Sequence, residues 1–359
     1  MKFKELTKKF LLAFSSIFLF LIFINLILFF STKQIQQKKI SKKILIQLPL
    51  ELTYLYPDTY NKLENITAIL GDSHAFGSGD SFLNDDYNYS IGHFLYNYFD
   101  KKENFLNIGV PGGGSKSIYQ NYLNFRKKLN IKPNKIIYLF YEGNDLENNI
   151  NYENIYSLSH EIKGRIKYYF PFVYLTKNLL RNVKHKIKYK INKKTNIDII
   201  DKNFNQINFK NDNNIISLNV KPLQAPPIEL NENDLNKSLN IFFETLINLK
   251  NDTKEIIIVY LPAPTSTLNL KNPIYFQKYF SDNNQNSVTK EELEKLSKYI
   301  RLLIKTFSIQ QDIRFLDMTD TLKKKSLEIM IYGPKDYKHF NKYGYEIISN
   351  QIYKFINKD

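Results

Sequence analysis

Cysteine is absent from all 359 residues. A disulfide framework, a Cys-ligated zinc and a thiol nucleophile are therefore excluded together. Tryptophan is absent too, while Lys, Asn, Ile, Tyr and Phe are heavily used. This bias is of the kind a whole genome carries, so part of the basic excess needs no functional reading. Acidic residues are in short supply: 35 Asp+Glu face 51 Lys+Arg, a formal net charge of +16. That balance favours an anionic partner such as phosphate, a lipid headgroup or an acidic glycan. Histidine is scarce, and His93, His160 and His185 have no ligand-like spacing, so no metal site is expected. The glycine run at Gly112 lacks the Gly-Lys-Ser/Thr of a phosphate-binding loop, and no cofactor is expected. Hydrophobic residues make up 43% of the chain, enough for a packed core, so wholesale disorder is excluded.

One long apolar run is present. Phe10 to Thr32 is 23 residues without a charge. As a helix it would be about 35 Å long, enough for a bilayer core of about 30 Å. Its exit, Phe-Phe-Ser-Thr-Lys, is a poor cleavage site, so the run reads as an uncleaved signal anchor over residues 1–32. Lysines flank both sides almost equally. A short basic leader before an apolar run favours a cytoplasmic N-terminus, with the rest of the chain in the periplasm or outside the cell. That location argues against nucleic acid as the anionic partner. Residues 33–60 read as a juxtamembrane linker.

Beyond the linker, five short apolar runs end in Gly, Pro or polar residues: Ile66–Leu70, Phe105–Val110, Ile136–Tyr141, Ile256–Leu261 and Ile313–Leu316. Helical patterns lie around 88–99, 116–129, 234–250, 289–308 and 342–356. Strands without alternation are buried on both faces, and their separation by helices implies a parallel sheet covered on both sides. Residues 146–230 interrupt the rhythm and read as an inserted helical segment. Within it, Lys163 to Lys194 holds eleven Lys/Arg and no Asp or Glu. That stretch suits a membrane surface or an anionic glycan, and equally a solvated helix pair.

Three strand ends carry residues suited to chemistry, as the carboxyl ends of open α/β sheets do. The first gives Gly71-Asp72-Ser73-His74, the second Gly112-Gly113-Gly114, the third Glu142-Gly143-Asn144-Asp145. Late in the chain comes Asp336-Tyr337-Lys338-His339. A carboxylate three residues before a histidine can orient the imidazole through Nδ1, leaving Nε2 to accept a serine proton. Each piece alone has a bland reading as a cap, a turn or a surface pair. Their order along the chain is what gives them weight.

The series GDSH, NIGVPGGGS, EGND and DYKH resembles the SGNH (GDSL-type) hydrolase superfamily over about 65–357. The resemblance implies a flavodoxin-like three-layer α/β/α fold with a parallel sheet. It implies hydrolysis or transfer of ester-linked acyl groups. By match to the motifs, Ser73 would be the nucleophile, His339 the base and Asp336 its orienting partner. The backbone N–H groups of Ser73 and Gly112 and the side-chain amide of Asn144 would form the oxyanion hole. His74, Gly113 and Glu142 would face substrate; His74, one residue from Ser73, is read as structural or substrate-facing rather than as the base. The first position of the third motif is Glu142 where the family usually has Gly, which would give a more acidic site edge. GDSH resembles SGNH domains that act on O-acyl groups of bacterial surface polysaccharides. The expectation is a membrane-anchored esterase or O-acyltransferase acting on acyl esters, O-acetyl above all, of envelope glycans. The rivals are a lipid esterase and a non-catalytic glycan-binding or scaffold protein of an envelope assembly system.

Overall fold

The computed structural model describes residues 65–80, 89–100, 102–129, 132–155, 204–211, 214–279 and 286–358, together with 15, 16, 19–24 and 27. The ordered elements run β1 (Ile66–Gly71), α1 (Ser73–Phe76), α2 (Ile91–Tyr98), β2 (Asn104–Gly109), α3 (Ser115–Leu129), β3 (Lys135–Tyr141) and α4 (Asp145–Ile155). After the inserted region they continue with β4 (Asn205–Asn211), β5 (Asn214–Val220), α5 (Glu232–Lys250), β6 (Glu255–Leu261), α6 (Pro264–Thr267), β7 (Ile274–Phe276) and β8 (Asn286–Val288). The last are α7 (Lys290–Gln310), β9 (Arg314–Asp317), α8 (Thr319–Ser326) and α9 (Lys342–Ile356).

Five strands form one parallel sheet in the order β2-β1-β3-β6-β9. Counted within the sheet alone this is the flavodoxin-like order 2-1-3-4-5, which reverses direction beside the first strand. The apolar runs explain the central strands. All six residues of β1 are buried, as are six of seven in β3 and in β6. Alternate side chains leave opposite faces of a strand. On one face Ile69, Ile137, Leu139 and Val259 share a core with Leu95 of α2 and with Ile348 and Ile352 of α9. On the other, Tyr138 and Phe140 meet Phe242 of α5 at ring-centroid distances of 5.4 and 4.9 Å. Helix α7 joins α5 there through Phe243 stacked on Phe307 at 4.0 Å. Each large apolar side chain so buried contributes about 1.5–3 kcal/mol.

The helix starts are written into the chain. Thr289 and Glu292 form a reciprocal capping box on α7, and Asn231 and Asn341 cap α5 and α9 through their side chains. The Asn341 cap matters most, because it fixes the helix that directly follows His339.

The inserted region needs a correction. Its first ten residues do extend α4, but the described part after 203 is an antiparallel hairpin, β4–β5, not helix. Asn205 ties the hairpin to the β7 region, since its side chain both donates to Tyr275 O and accepts from Tyr275 N. The Lys163–Lys194 stretch, the juxtamembrane linker and most of the Phe10–Thr32 run lie outside the described residues. Among the described residues no helix is long and apolar enough to cross a membrane.

Candidate active site

Strand β1 lies between β2 and β3 in register, with Gly71 opposite Gly109 on one side and Leu139 on the other. The loops that leave these three strands therefore open at one edge of the sheet. Gly71 has φ of +150°, and a Cβ there would sit 2.8 Å from Leu139 O. Only glycine lets the chain turn this close to β3. The turn delivers Asp72 as the cap of α1, accepting from His74 N at 2.8 Å, and Ser73 as its first residue.

Ser73 Oγ lies 2.8 Å from His339 Nε2, across 266 positions of sequence. His339 Nδ1 lies 2.6 Å from Asp336 Oδ2. Serine, imidazole and carboxylate thus form one hydrogen-bonded chain. Burial pulls the Asp336 carboxyl upward, but the hydrogen bond and charge of His339 and the N–H groups of Lys338 and His339 outweigh it. The net shift is downward, so Asp336 is an anion at neutral pH, oriented on Nδ1. Such a chain can take the proton from a serine hydroxyl and hold the resulting imidazolium. Ser73 Oγ also lies 3.0 Å from Asp72 Oδ2. The hydroxyl has one proton and two acceptors; attack requires it on the shorter contact, toward His339.

The His339 loop is held from the far end of the GDSH segment. Asp80 accepts from Lys335 N at 2.9 Å and from Asp336 N at 2.6 Å. Gly79, with φ of +141°, lets this segment pass Phe340, where a Cβ would come within 2.5 Å of the carbonyl oxygen. Tyr345 OH donates to Ser78 O at 2.7 Å, and Tyr141 OH reaches Lys338 O at 3.2 Å. Asp80 carries no sequence signal of its own.

His74 does not face the site opening. It is buried, Nδ1 lies 3.1 Å from Asp72 Oδ1, and its ring packs 3.9 Å from that of Tyr141. Burial, only partly offset by Asp72, pushes His74 down. For Asp72, burial pushes the carboxyl up, but the attraction and hydrogen bonds of His74 win and hold it at about 2. His74 is thus the buried partner of the capping carboxylate. Glu142 also differs from expectation. It is fully buried, with its carboxylate accepting from Tyr260 OH at 2.6 Å and Ala263 N at 2.8 Å. The acid joins the ends of β3 and β6 rather than sharpening the site edge. Gly113 is likewise buried, against Val110 and Ser117.

Gly112 is exposed with φ of +69°, on the loop after β2, and Asn144 follows β3. They flank the β1 end that carries Ser73. Asn149 fixes this arrangement by accepting from Ser115 N at 2.6 Å and donating to Ser238 O at 3.0 Å. A pocket of about 200 Å³ is lined in part by Gly143 and Lys338, which precede Asn144 and His339 in the sequence. Among the described residues no group of acidic, His or Cys side chains could hold a metal ion.

No family model matches the sequence, and no curated protein matches it. Among solved structures, the chain is similar to a member of the lipolytic protein G-D-S-L family from Veillonella parvula. The identity is 11% and the TM-score 0.42, over 82% of this chain and 99% of that one. It is also similar to an acetylxylan esterase from Geobacillus stearothermophilus, with 9% identity and a TM-score of 0.40 over 83% and 96% of the two chains. An alpha/beta hydrolase enzyme from the metagenome of Lake Arreo matches at 10% identity and a TM-score of 0.38, over 82% and 95%.

Proposed function

We propose that the chain is a serine ester hydrolase or acyltransferase of the SGNH type, acting on acyl esters of an envelope glycan, with O-acetyl as the acyl group. The observation that carries this reading is the hydrogen-bonded series Ser73–His339–Asp336 at 2.8 and 2.6 Å. In the proposed mechanism Ser73 Oγ attacks the ester carbonyl carbon and its proton passes to His339 Nε2. Asp336 stabilises the imidazolium. The N–H groups of Ser73 and Gly112 and the amide of Asn144 donate to the developing oxyanion. His339 then gives its proton to the departing alkoxide, leaving an acyl-enzyme on Ser73. Water deprotonated by His339 releases the acid; a sugar hydroxyl in place of water makes the reaction a transfer.

The sequence supports a membrane-tethered enzyme, with the Phe10–Thr32 run as anchor in the inner membrane and the catalytic domain on its outer side. A panel of p-nitrophenyl acyl esters of increasing chain length tests the esterase reading. Preferential turnover of acetate supports it, and preference for long acyl chains favours a lipid esterase. Asn144→Ala should lower kcat by about 10²–10³-fold with little change in KM, as loss of one oxyanion donor does. An equal rise in KM at unchanged kcat would place Asn144 in ground-state binding instead.

A further inference from the structure

The proposed mechanism uses Ser73, His339 and Asp336 and gives no role to a buried acid that joins their two segments. Asp80 stands seven positions after Ser73 and is only 8% exposed. The chain between them is a tight turn. Gly77 takes the left-handed conformation after α1, its N–H donates to His74 O, and Ser78 N donates to Ser73 O at 2.9 Å. The start of Asp80 is thereby tied to the backbone of the nucleophile. Its carboxylate reaches the other segment, accepting from Lys335 N at 2.9 Å and from Asp336 N at 2.6 Å. A second tight turn continues from there. Gly333 N donates to Asp336 O at 3.1 Å, Asp336 Oδ1 accepts from Lys338 N at 2.9 Å, and Asp336 Oδ2 lies 2.6 Å from His339 Nδ1.

We propose that Asp80 is a positioning residue for the acyl-transfer reaction, setting the Asp336–His339 pair against Ser73 through two successive backbone N–H groups. The inference rests on the esterase reading above and adds a residue to its machinery. The choice of acceptor supports it. A carboxylate offers two oxygens and can hold both N–H groups in one geometry. Lys335 is exposed, so water could serve its N–H equally well. Burying an acid to do so costs desolvation free energy. What the acid supplies and water does not is a fixed distance between this loop and the Ser73 turn. That distance matters for rate, because the relay runs through contacts of 2.8 and 2.6 Å. A displacement of about 1 Å takes such contacts out of proton-transfer range and costs about 10²-fold in rate.

The test uses the full chain and its Asp80→Ala and Asp80→Asn variants. Labelling by a fluorophosphonate is followed to completion, which gives the fraction of competent molecules and, separately, their rate. Turnover of p-nitrophenyl acetate is measured in parallel. Asp80→Ala should label to the wild-type fraction but about 10²-fold more slowly, with kcat lower by the same factor and KM nearly unchanged. Asp80→Asn keeps one oxygen acceptor but brings an N–H donor toward the loop, so its rate should fall between, about tenfold below the wild type. A residue that only stabilised the fold would act the other way: the labelled fraction would drop and the surviving molecules would react at the wild-type rate. That result, or a fully labelled Asp80→Ala with the wild-type rate, would overturn the positioning role. Should the alanine variant fail to fold, Asp80→Asn decides alone, and a wild-type rate there overturns the role. In each of these cases the wild type still labels and turns over ester, so the esterase reading stands. A folded wild type that neither labels nor turns over any ester would sink both.

Discussion

Ser73→Ala should lower ester turnover by about 10⁴–10⁶-fold, the loss seen when a serine nucleophile is removed from a relay that acts as a unit. No neighbouring group can replace it. Among the described residues, the side chains hydrogen-bonded to Ser73 Oγ are the Asp72 carboxylate, which caps α1, and His339 itself. The fold should hardly notice. The substitution removes one hydroxyl that bonds to two partners, a stability change of about 1 kcal/mol, while the Asp72 cap on His74 N stays in place. Steady-state kinetics on p-nitrophenyl acetate together with a thermal unfolding curve read both effects. Retained turnover in a folded variant would move the nucleophile elsewhere.

Asp336→Asn should lower kcat by about 10⁴-fold with KM little changed. The carboxylate accepts from His339 Nδ1 at 2.6 Å and thereby leaves Nε2 bare to take the serine proton. An amide in its place can donate to Nδ1, which puts the ring proton on Nε2 and points it at Ser73. The loop itself should stay put, because Asp80 holds it through the backbone N–H groups of Lys335 and Asp336. His74→Ala provides the contrast. It removes one side-chain partner from a buried carboxylate that keeps the N–H of residue 74 and the Ser73 hydroxyl, so it should cost about 1–3 kcal/mol of stability. Activity per folded molecule should fall far less than in His339→Ala. Equal catalytic damage from the two histidines would overturn the assignment of His339 as base.

The sheet was legible because burial on both faces leaves a plain mark. IIYLFY and IIIVYL have no polar residue to interrupt them, and they became β3 and β6. The β4–β5 hairpin left no such mark. NQINFKN and NIISLNV are rich in Asn, carry little apolar periodicity and pair chiefly with each other. Helix α8, TDTLKKKS, has one apolar side chain, Leu322, and so no helical stripe to read. In the site, Ser73, Asp336 and His339 could be picked out because GDSH and DYKH stand in the order of the SGNH motifs they resemble, not from either motif alone. Glu142 was misjudged because residue type says nothing about direction. It continues the inward run of β3, and its partners, Tyr260 and Ala263, come from a strand more than a hundred residues away. Asp80 was invisible for a related reason: it takes its meaning from the backbone loop that it holds.

The most direct measurement is covalent labelling with a fluorophosphonate, followed by intact mass and peptide mapping. A serine activated by His339 and Asp336 should take up one phosphonyl group, on Ser73 alone. Labelling should vanish in Ser73→Ala and slow by orders of magnitude in His339→Ala. Failure of the folded wild-type chain to label, or an adduct on any residue other than Ser73, would contradict the account.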